Sequence, residues 1–451
     1  MFIGKMKNFI IVPACTDLNR GDQVLVWEAV NLIKDAYPNS NSFIVDYGIS
    51  DNDREQQSHQ TRMFGFNVIS NIVEHPKRVL KNTVNNEVHN STKSLFFAGG
   101  TAIFDFCKLF FLLLIPTKSI FSFLFKKQSF RDSFVFFMKS DCIVVKGGGF
   151  IHTYGKVEDL YYLWFNLYYV ILAKRTGKKV IILPNSYGPI KGYFNRAFVK
   201  FIFNKADLIY SREKISTELV KEIGCKKVKD AFDLGYYIKE SESFDSKEKE
   251  NIFNGIKKSN KKKVAITVRP YRFPKSDNPD YQYLNYINTI VKFCCQLSDK
   301  YDFYFIVQVD GPSAHEKDRI AIDDITAKLP TDVTYRIVDN DFNCLELTKL
   351  YSLFDFIVGT RFHSIIFSHV VKVPGLAIAY GGNKTRGIMK EIGLEDYVID
   401  IEDIDSKELL NKFFALELNK TSYIEKLKVL EINVAKDRIS IIKKMKELAN
   451  D

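Results

Sequence analysis

The sequence predicts an α/β protein: two Rossmann-like domains facing across a cleft, with a long C-terminal helix. Three observations predict it. Short apolar runs with the character of buried strands alternate with helical stretches, the mark of βαβ units and a mostly parallel sheet. The alternation occurs twice, on either side of a charged segment at 239–262. The chain has 451 residues, more than the roughly 250–300 that one core supports.

The first set opens with FIIVPAC (9–15), a strand. Residues 22–36 follow with Val24, Trp27, Val30, Leu32 and Ile33 near helical spacing. NSFIVDYG (41–48) is a strand. SLFFAGG (94–100) and DCIVVKGGG (141–149) read as strands running into glycine turns. Residues 158–173 form an apolar helix. KKVIILPNSYGPI (178–190) is strand then loop, and ADLIYSREKIS (206–216) is a strand entering a helix. In the second set the strands are VAITVRPY (264–271), YFIVQVD (304–310), VTYRIVD (333–339), DFIVGTRF (355–362) and VPGLAIAY (373–380), with a helix at 281–297. From Ser422 to Leu448 apolar residues recur at i+3/i+4, a helix. The expected domains are 1–238, 263–405 beyond a linker at 239–262, and C-terminal helices at 406–451 packing back across both.

Composition narrows the function. Apolar residues are 46% and charged residues 26%, which excludes disorder, collagen and a disulfide miniprotein. Lys plus Arg exceeds Asp plus Glu by 65 to 54, a net +11 that points to an anionic partner. The basic residues are spread out with no recognition module, so nucleic acid is not expected. The seven cysteines, Cys15 among them, are scattered and form no C-x-x-C; a reducing compartment fits them, and no metal-ligand cluster is visible. The N-terminal apolar run is short and reads as a strand rather than a signal peptide, so a cytoplasmic protein is expected. Residues 103–125 are strongly apolar and are followed by Lys126, Lys127 and Arg131. Their favoured reading is a buried helix pair. The sharper one is a peripheral contact with the cytoplasmic membrane face through 103–131.

The motifs lie at strand ends, where open α/β sheets bind ligands. Asn19-Arg20-Gly21-Asp22 precedes a helix, and Asp22 can cap it. Gly147, Gly148 and Gly149 let backbone approach a ligand, and a following helix would favour an anion. Asn185 and Tyr187 lie in a polar loop where a sugar could be met; an ordinary turn is the plain alternative. Arg212 and Arg269 each follow a strand. Gly359-Thr360-Arg361-Phe362-His363-Ser364 is the strongest constellation. Arg361 offers a planar fork for phosphate or carboxylate, and His363 can move protons near neutrality. His369 reads as core. Lys384 and Arg386 sit in a glycine-containing loop, as solvated charge or as phosphate contacts.

In order, NRGDQ (19–23), KGGGF (146–150), LPNSYGPI (183–190), YSREKIS (210–216), AITVRPY (265–271), VGTRFHSIIFS (358–368) and PGLAIAYGGNKTRGIMKEIG (374–393) resemble the polysaccharide pyruvyltransferase family. The resemblance implies a GT-B-like architecture, with the N-terminal domain on the acceptor side and the C-terminal one on the donor side. It implies phosphoenolpyruvate as co-substrate and no cofactor. The product would be a pyruvate ketal on a sugar of a cell-surface polysaccharide or its lipid-linked oligosaccharide precursor. His363 and Arg361 would be catalytic. Arg212, Arg269, Arg361, Ser364 and Lys384 would bind donor, and Asp22, Gly147, Gly148, Gly149, Asn185 and Tyr187 would line the acceptor side. No metal is required. The alternatives are a nucleotide-sugar glycosyltransferase on the same plan and a non-catalytic partner in glycan assembly.

Overall fold

The computed structural model describes residues 6–13, 16–76, 78, 92–156, 158–311, 316–381 and 384–448. The end of the expected first strand at Ala14 and Cys15 lies outside the described residues, as do Gly382 and Asn383 of the glycine-containing loop. The chain forms two compact units. One comprises Met1–Asp17, Leu25–Leu234 and Asp437–Asp451, the other Leu18–Val24 and Gly235–Lys436.

Among the described residues the first unit carries eight strands: β1 Lys7–Val12, β2 Ser40–Val45, β3 Asn67–Ile69, β4 Cys142–Val145, β5 Gly148–Tyr154, β6 Lys179–Lys191, β7 Leu208–Ser211 and β8 Lys229–Asp230. Their order is β3-β2-β1-β4-β6-β7-β8, with β5 also on β6, and every pairing is parallel. Ile10, Val12, Ile143, Val145, Val180 and Ile182 are completely buried. Strands covered on both faces need continuous apolar runs, which is why these were legible.

Three local expectations change here. SLFFAGG is not a strand into a turn; it lies within a helix, Thr92–Leu114. The helix is anchored beyond that segment: Asp105 pairs with Arg78 through two bonds of 2.6 and 2.8 Å, and Tyr168 donates to the carbonyl of Leu109 at 3.0 Å. The triple glycine leads into β5, not a helix, so the helix-terminus argument for an anion does not apply there. The polar stretch PNSYGPI is strand, because β5 pairs along it at Gly148–Asn185, Ile151–Tyr187 and Thr153–Ile190. The region 103–125 is helical as expected, within Thr92–Leu114 and Lys118–Leu124. Leu109, Leu112, Phe121 and Phe125 are buried, but a second face is not.

The second unit carries β9 Lys262–Thr267, β10 Tyr301–Ile306, β11 Tyr335–Val338, β12 Phe356–Gly359, β13 Gly375–Ala379 and β14 Val398–Asp400. All are parallel, in the order β11-β10-β9-β12-β13-β14. Counted within the unit this is 3-2-1-4-5-6, the doubly wound dinucleotide-fold order. Its switch point lies between β9 and β12. The charged segment at 239–262 holds the helix Lys247–Lys257 and clusters with this unit, so the units part at Leu234 and Gly235. The final helix runs Lys420–Leu448; from Asp437 onward it clusters with the first unit.

Candidate functional site

The switch point of the second unit gathers most of the residues singled out in its sequence. Val358 and Gly359 pair with Ile266 and Thr267 of β9, and the Thr360 amide donates to the Thr267 carbonyl at 2.8 Å. A Cβ on Gly359 would stand 2.7 Å from Ser364 Oγ and 3.1 Å from Thr267 Oγ1, so only glycine lets the chain turn this tightly into the helix Phe362–Val370. The Ser364 hydroxyl lies 2.8 Å from that of Thr267 and donates to the Arg361 carbonyl at 2.6 Å. Ser364 is fully buried, so it fixes the loop rather than meeting a ligand. Thr360 bonds the Tyr286 hydroxyl at 2.9 Å, and burial pushes that phenol up to about 12.

Arg361 is 7% exposed. Its Nε donates to Asp318 at 2.7 Å and its Nη2 to the Glu316 carbonyl at 2.5 Å. Asp318 also accepts the amides of Gln308 and Val309 at 3.0 and 2.9 Å. Burial pushes the Asp318 carboxyl up, against the opposing pull of the guanidinium and those amides. Much of the Arg361 fork is therefore spent on the protein itself, tying the β10 loop to the β12 loop.

His363 reaches a small cavity lined also by Asn19, Gln308, Arg361, Tyr380, Gly381 and Lys384. The Lys384 ammonium lies 3.5 Å from His363 Nε2. On the other side, a Cβ on Gly21 would fall 2.2 Å from His363 Nδ1. The glycine thus admits the imidazole against the first turn of the helix Arg20–Ala36. The expected cap is corrected: Asn19 Oδ1, not Asp22, accepts the amides of Gly21 and Asp22 at 3.0 and 3.3 Å. Asp22 instead accepts from the Asn19 amide group at 3.1 Å, and the Asn19 backbone bridges Val309.

Arg269, just past β9, lays its guanidinium 4.2 Å from the Tyr380 ring centre. Its Nε is buried and has no hydrogen-bond partner among the described residues. Gln308, just past β10, is 2% exposed and accepts from the Tyr351 hydroxyl at 2.9 Å, while its Nε2 likewise has no partner among the described residues. Two buried donors without acceptors call for an explanation, and an anionic ligand supplies one. Gln308 went unsuspected as a site residue, whereas Asn19 and Tyr380 belong to motifs already singled out in sequence. For Gln308 the available signal was its position at a strand end. His369 is core, as read: it is 2% exposed between the hydroxyls of Tyr236 and Tyr423, and burial pushes it down to about 3. Among the described residues no group of three or more His, Cys, Asp or Glu is placed to hold a metal ion.

The remaining residues belong to the first unit. Arg212 is engaged there: Nη1 donates to Asp233 at 2.6 Å and Nε to Ser186 at 2.7 Å, with Glu213 at 3.7 Å. Its charge is compensated by buried carboxylates, which differs from the expected role as a donor-binding cation. Tyr187 is buried and donates to the Tyr210 carbonyl at 2.7 Å. Asn185 is also fully buried, donating to the carbonyls of Lys146 and Leu183. Both shape the sheet rather than an open surface. Gly147 admits the Pro184 carbonyl, 2.9 Å from where its Cβ would be, and Gly149 admits Arg212 Nη2 at 3.2 Å. Gly148 has φ +153, beside the Phe150 ring.

The doubly wound sheets and their switch-point site define a GT-B-like α/β protein. Solved structures agree on the fold. The UDP-GlcNAc 2-epimerase of Neisseria meningitidis bound to UDP-GlcNAc is 12% identical, with a TM-score of 0.54 over 98% of this chain and 100% of that one. Anabaena Alr3699/HepE in complex with UDP and glucose is 10% identical, with a TM-score of 0.53 over 99% of this chain and 100% of that one. At the level of sequence, residues 19–382 match the polysaccharide pyruvyl transferase model, and the chain belongs to that family, a family of transferases. It is 27% identical over 292 residues to the amylovoran biosynthesis protein AmsJ of Erwinia amylovora, covering 63% of this chain. The chain spans 66% of the length of that curated relative.

Proposed function

We propose that this protein is a transferase that moves the enolpyruvyl group of phosphoenolpyruvate onto a sugar of an exopolysaccharide or its lipid-linked precursor, forming a pyruvate ketal. The observation that carries this reading is the His363–Lys384 pair at the switch point, with the unpartnered Nε of Arg269 and Nε2 of Gln308 nearby. The family match and the likeness to an amylovoran biosynthesis protein support the polysaccharide context.

The donor carries a phosphate and a carboxylate. Lys384 and Arg269 supply charge for them, and Gln308 supplies a directional donor. Arg361, already tied to Asp318, holds the loop that aims His363. His363 delivers a proton to the donor's methylene carbon, which becomes the methyl group and leaves a cationic centre at the adjacent carbon. One sugar hydroxyl adds to that carbon. The carbon–oxygen bond to phosphate breaks, and the second hydroxyl takes its place. Of the two hydroxyl protons, one returns to His363 and the other leaves with phosphate, so the histidine ends as it began.

His363→Ala tests the assignment. Loss of about 10²–10⁴-fold in turnover is expected, with phosphoenolpyruvate still protecting the fold against thermal unfolding. Unchanged turnover would sink the role of His363. Protection by a nucleotide sugar but not by phosphoenolpyruvate would sink the donor.

A further inference from the structure

The helix Thr92–Leu114 has two apolar faces. The inner one, with Leu109 and Leu112, is buried in the first unit and anchored by the Arg78–Asp105 pair. The outer one is a stripe of Ile103, Phe104, Cys107, Phe110, Phe111 and Leu114 at i+3/i+4 spacing. Ile103 and Phe104 are 68% and 66% exposed. The helix Lys118–Leu124 packs against it and adds Phe123, 71% exposed. A large exposed apolar patch on a folded unit marks an interaction site.

We propose that this face is a peripheral docking surface for an anionic lipid bilayer, with the helix lying in the interface rather than crossing it. The inner face is committed to the protein, which leaves only one side for lipid. From Ile103 to Leu114 the stripe runs roughly 17 Å at about 1.5 Å per residue. Its side chains offer hydrocarbon, aromatic rings and one thiol, and the backbone behind them is paired within the helix. A second protein would need about one hydrogen bond per 100–200 Å² across the contact; the acyl region of a bilayer needs none. Charge selects the sign of the lipid. Lys118 and Lys126 are exposed beside the apolar face, and the Lys126 ammonium lies 5.5 Å from the Phe123 ring centre. Ammonium groups beside aromatic rings suit the head-group boundary, where a stem can lie in hydrocarbon and its charge in water. A membrane seat would bring the enzyme to a lipid-linked acceptor.

The test is flotation of the full chain with vesicles of mixed phosphatidylglycerol and phosphatidylcholine, and separately with phosphatidylcholine alone. Flotation is expected with the anionic vesicles and should fall as salt rises. The variant Phe104→Ser/Phe111→Ser/Phe123→Ser should lose about tenfold or more in partitioning, with its thermal unfolding and its protection by phosphoenolpyruvate unchanged. Absence of flotation with anionic vesicles, or equal flotation of the variant, would overturn the proposal. So would a dimer in solution that the same variant converts to monomer, since the face would then belong to a second copy. Flotation without turnover would keep this inference and sink the proposed chemistry instead.

Discussion

Replacing Gly21 by alanine should separate stability from activity. Gly21 lies in the first turn of the helix Arg20–Ala36, with no positive φ, so its backbone accepts a side chain. In helices alanine is favoured over glycine by roughly 0.5–1 kcal/mol. The added methyl, however, would stand 2.2 Å from His363 Nδ1 and 2.6 Å from Cγ, where ordinary contact begins near 3.4 Å. His363 is only half-buried and can yield, so the ring retreats by about 1 Å instead of the helix breaking. A misplacement of about 1 Å costs about 10²-fold in rate, close to 2.7 kcal/mol. Phosphate release from phosphoenolpyruvate in the presence of acceptor gives kcat and KM, and thermal unfolding gives stability. The expected result is a kcat about 10²-fold lower in a protein at least as stable as wild type. A kcat within about threefold of wild type would refute the argument that His363 works in this position.

Three other outcomes follow from the same unit. Gln308→Leu removes a directional donor to the anion and should raise the KM for phosphoenolpyruvate about tenfold or more, with a smaller change in kcat; steady-state kinetics decides. Asp318→Ala strands the buried Arg361 charge, so a stability loss of about 3–5 kcal/mol is expected in urea unfolding; a loss under about 1 kcal/mol would mean the pair is not the anchor described here. His369 is held down to about 3 by burial, below its ordinary 6.5. Below about pH 6.5 the unfolded chain takes up a proton that the native chain refuses, so this contribution is present above that pH and falls by about 1.4 kcal/mol per unit as pH drops towards 3. The difference in urea stability between wild type and His369→Gln, measured at pH 7 and pH 5, should shrink accordingly.

The site was unevenly legible. Gly359 to Ser364 stood out because it is contiguous: one strand end, one turn and one helix start carry all its members. What that sequence could not show is that Arg361 spends its fork on Asp318, a residue 43 positions away. Gln308 was invisible for the same reason, since an amide just past a strand has no pattern until the sheet brings the end of β10 to the same edge as the loop after β12. In sequence Arg212, like Arg361, follows a strand. Both turn out to be buried and tied to protein groups, Arg212 to Asp233 and Ser186 and Arg361 to Asp318, so neither is a free cation at a strand end.

By itself the amino-acid sequence determined the class of fold. Continuous apolar runs such as CIVV and VAIT can only be buried on both faces, and their alternation with helices requires parallel crossovers. It also determined the family, because the motifs are local. Tertiary structure alone decided which charges are spent on the protein and which donors remain for a ligand. It alone turned SLFFAGG into a helix and PNSYGPI into a strand. It alone left the outer face of the helix Thr92–Leu114 uncovered. Pairing and burial depend on residues distant in sequence, and no local pattern encodes their approach.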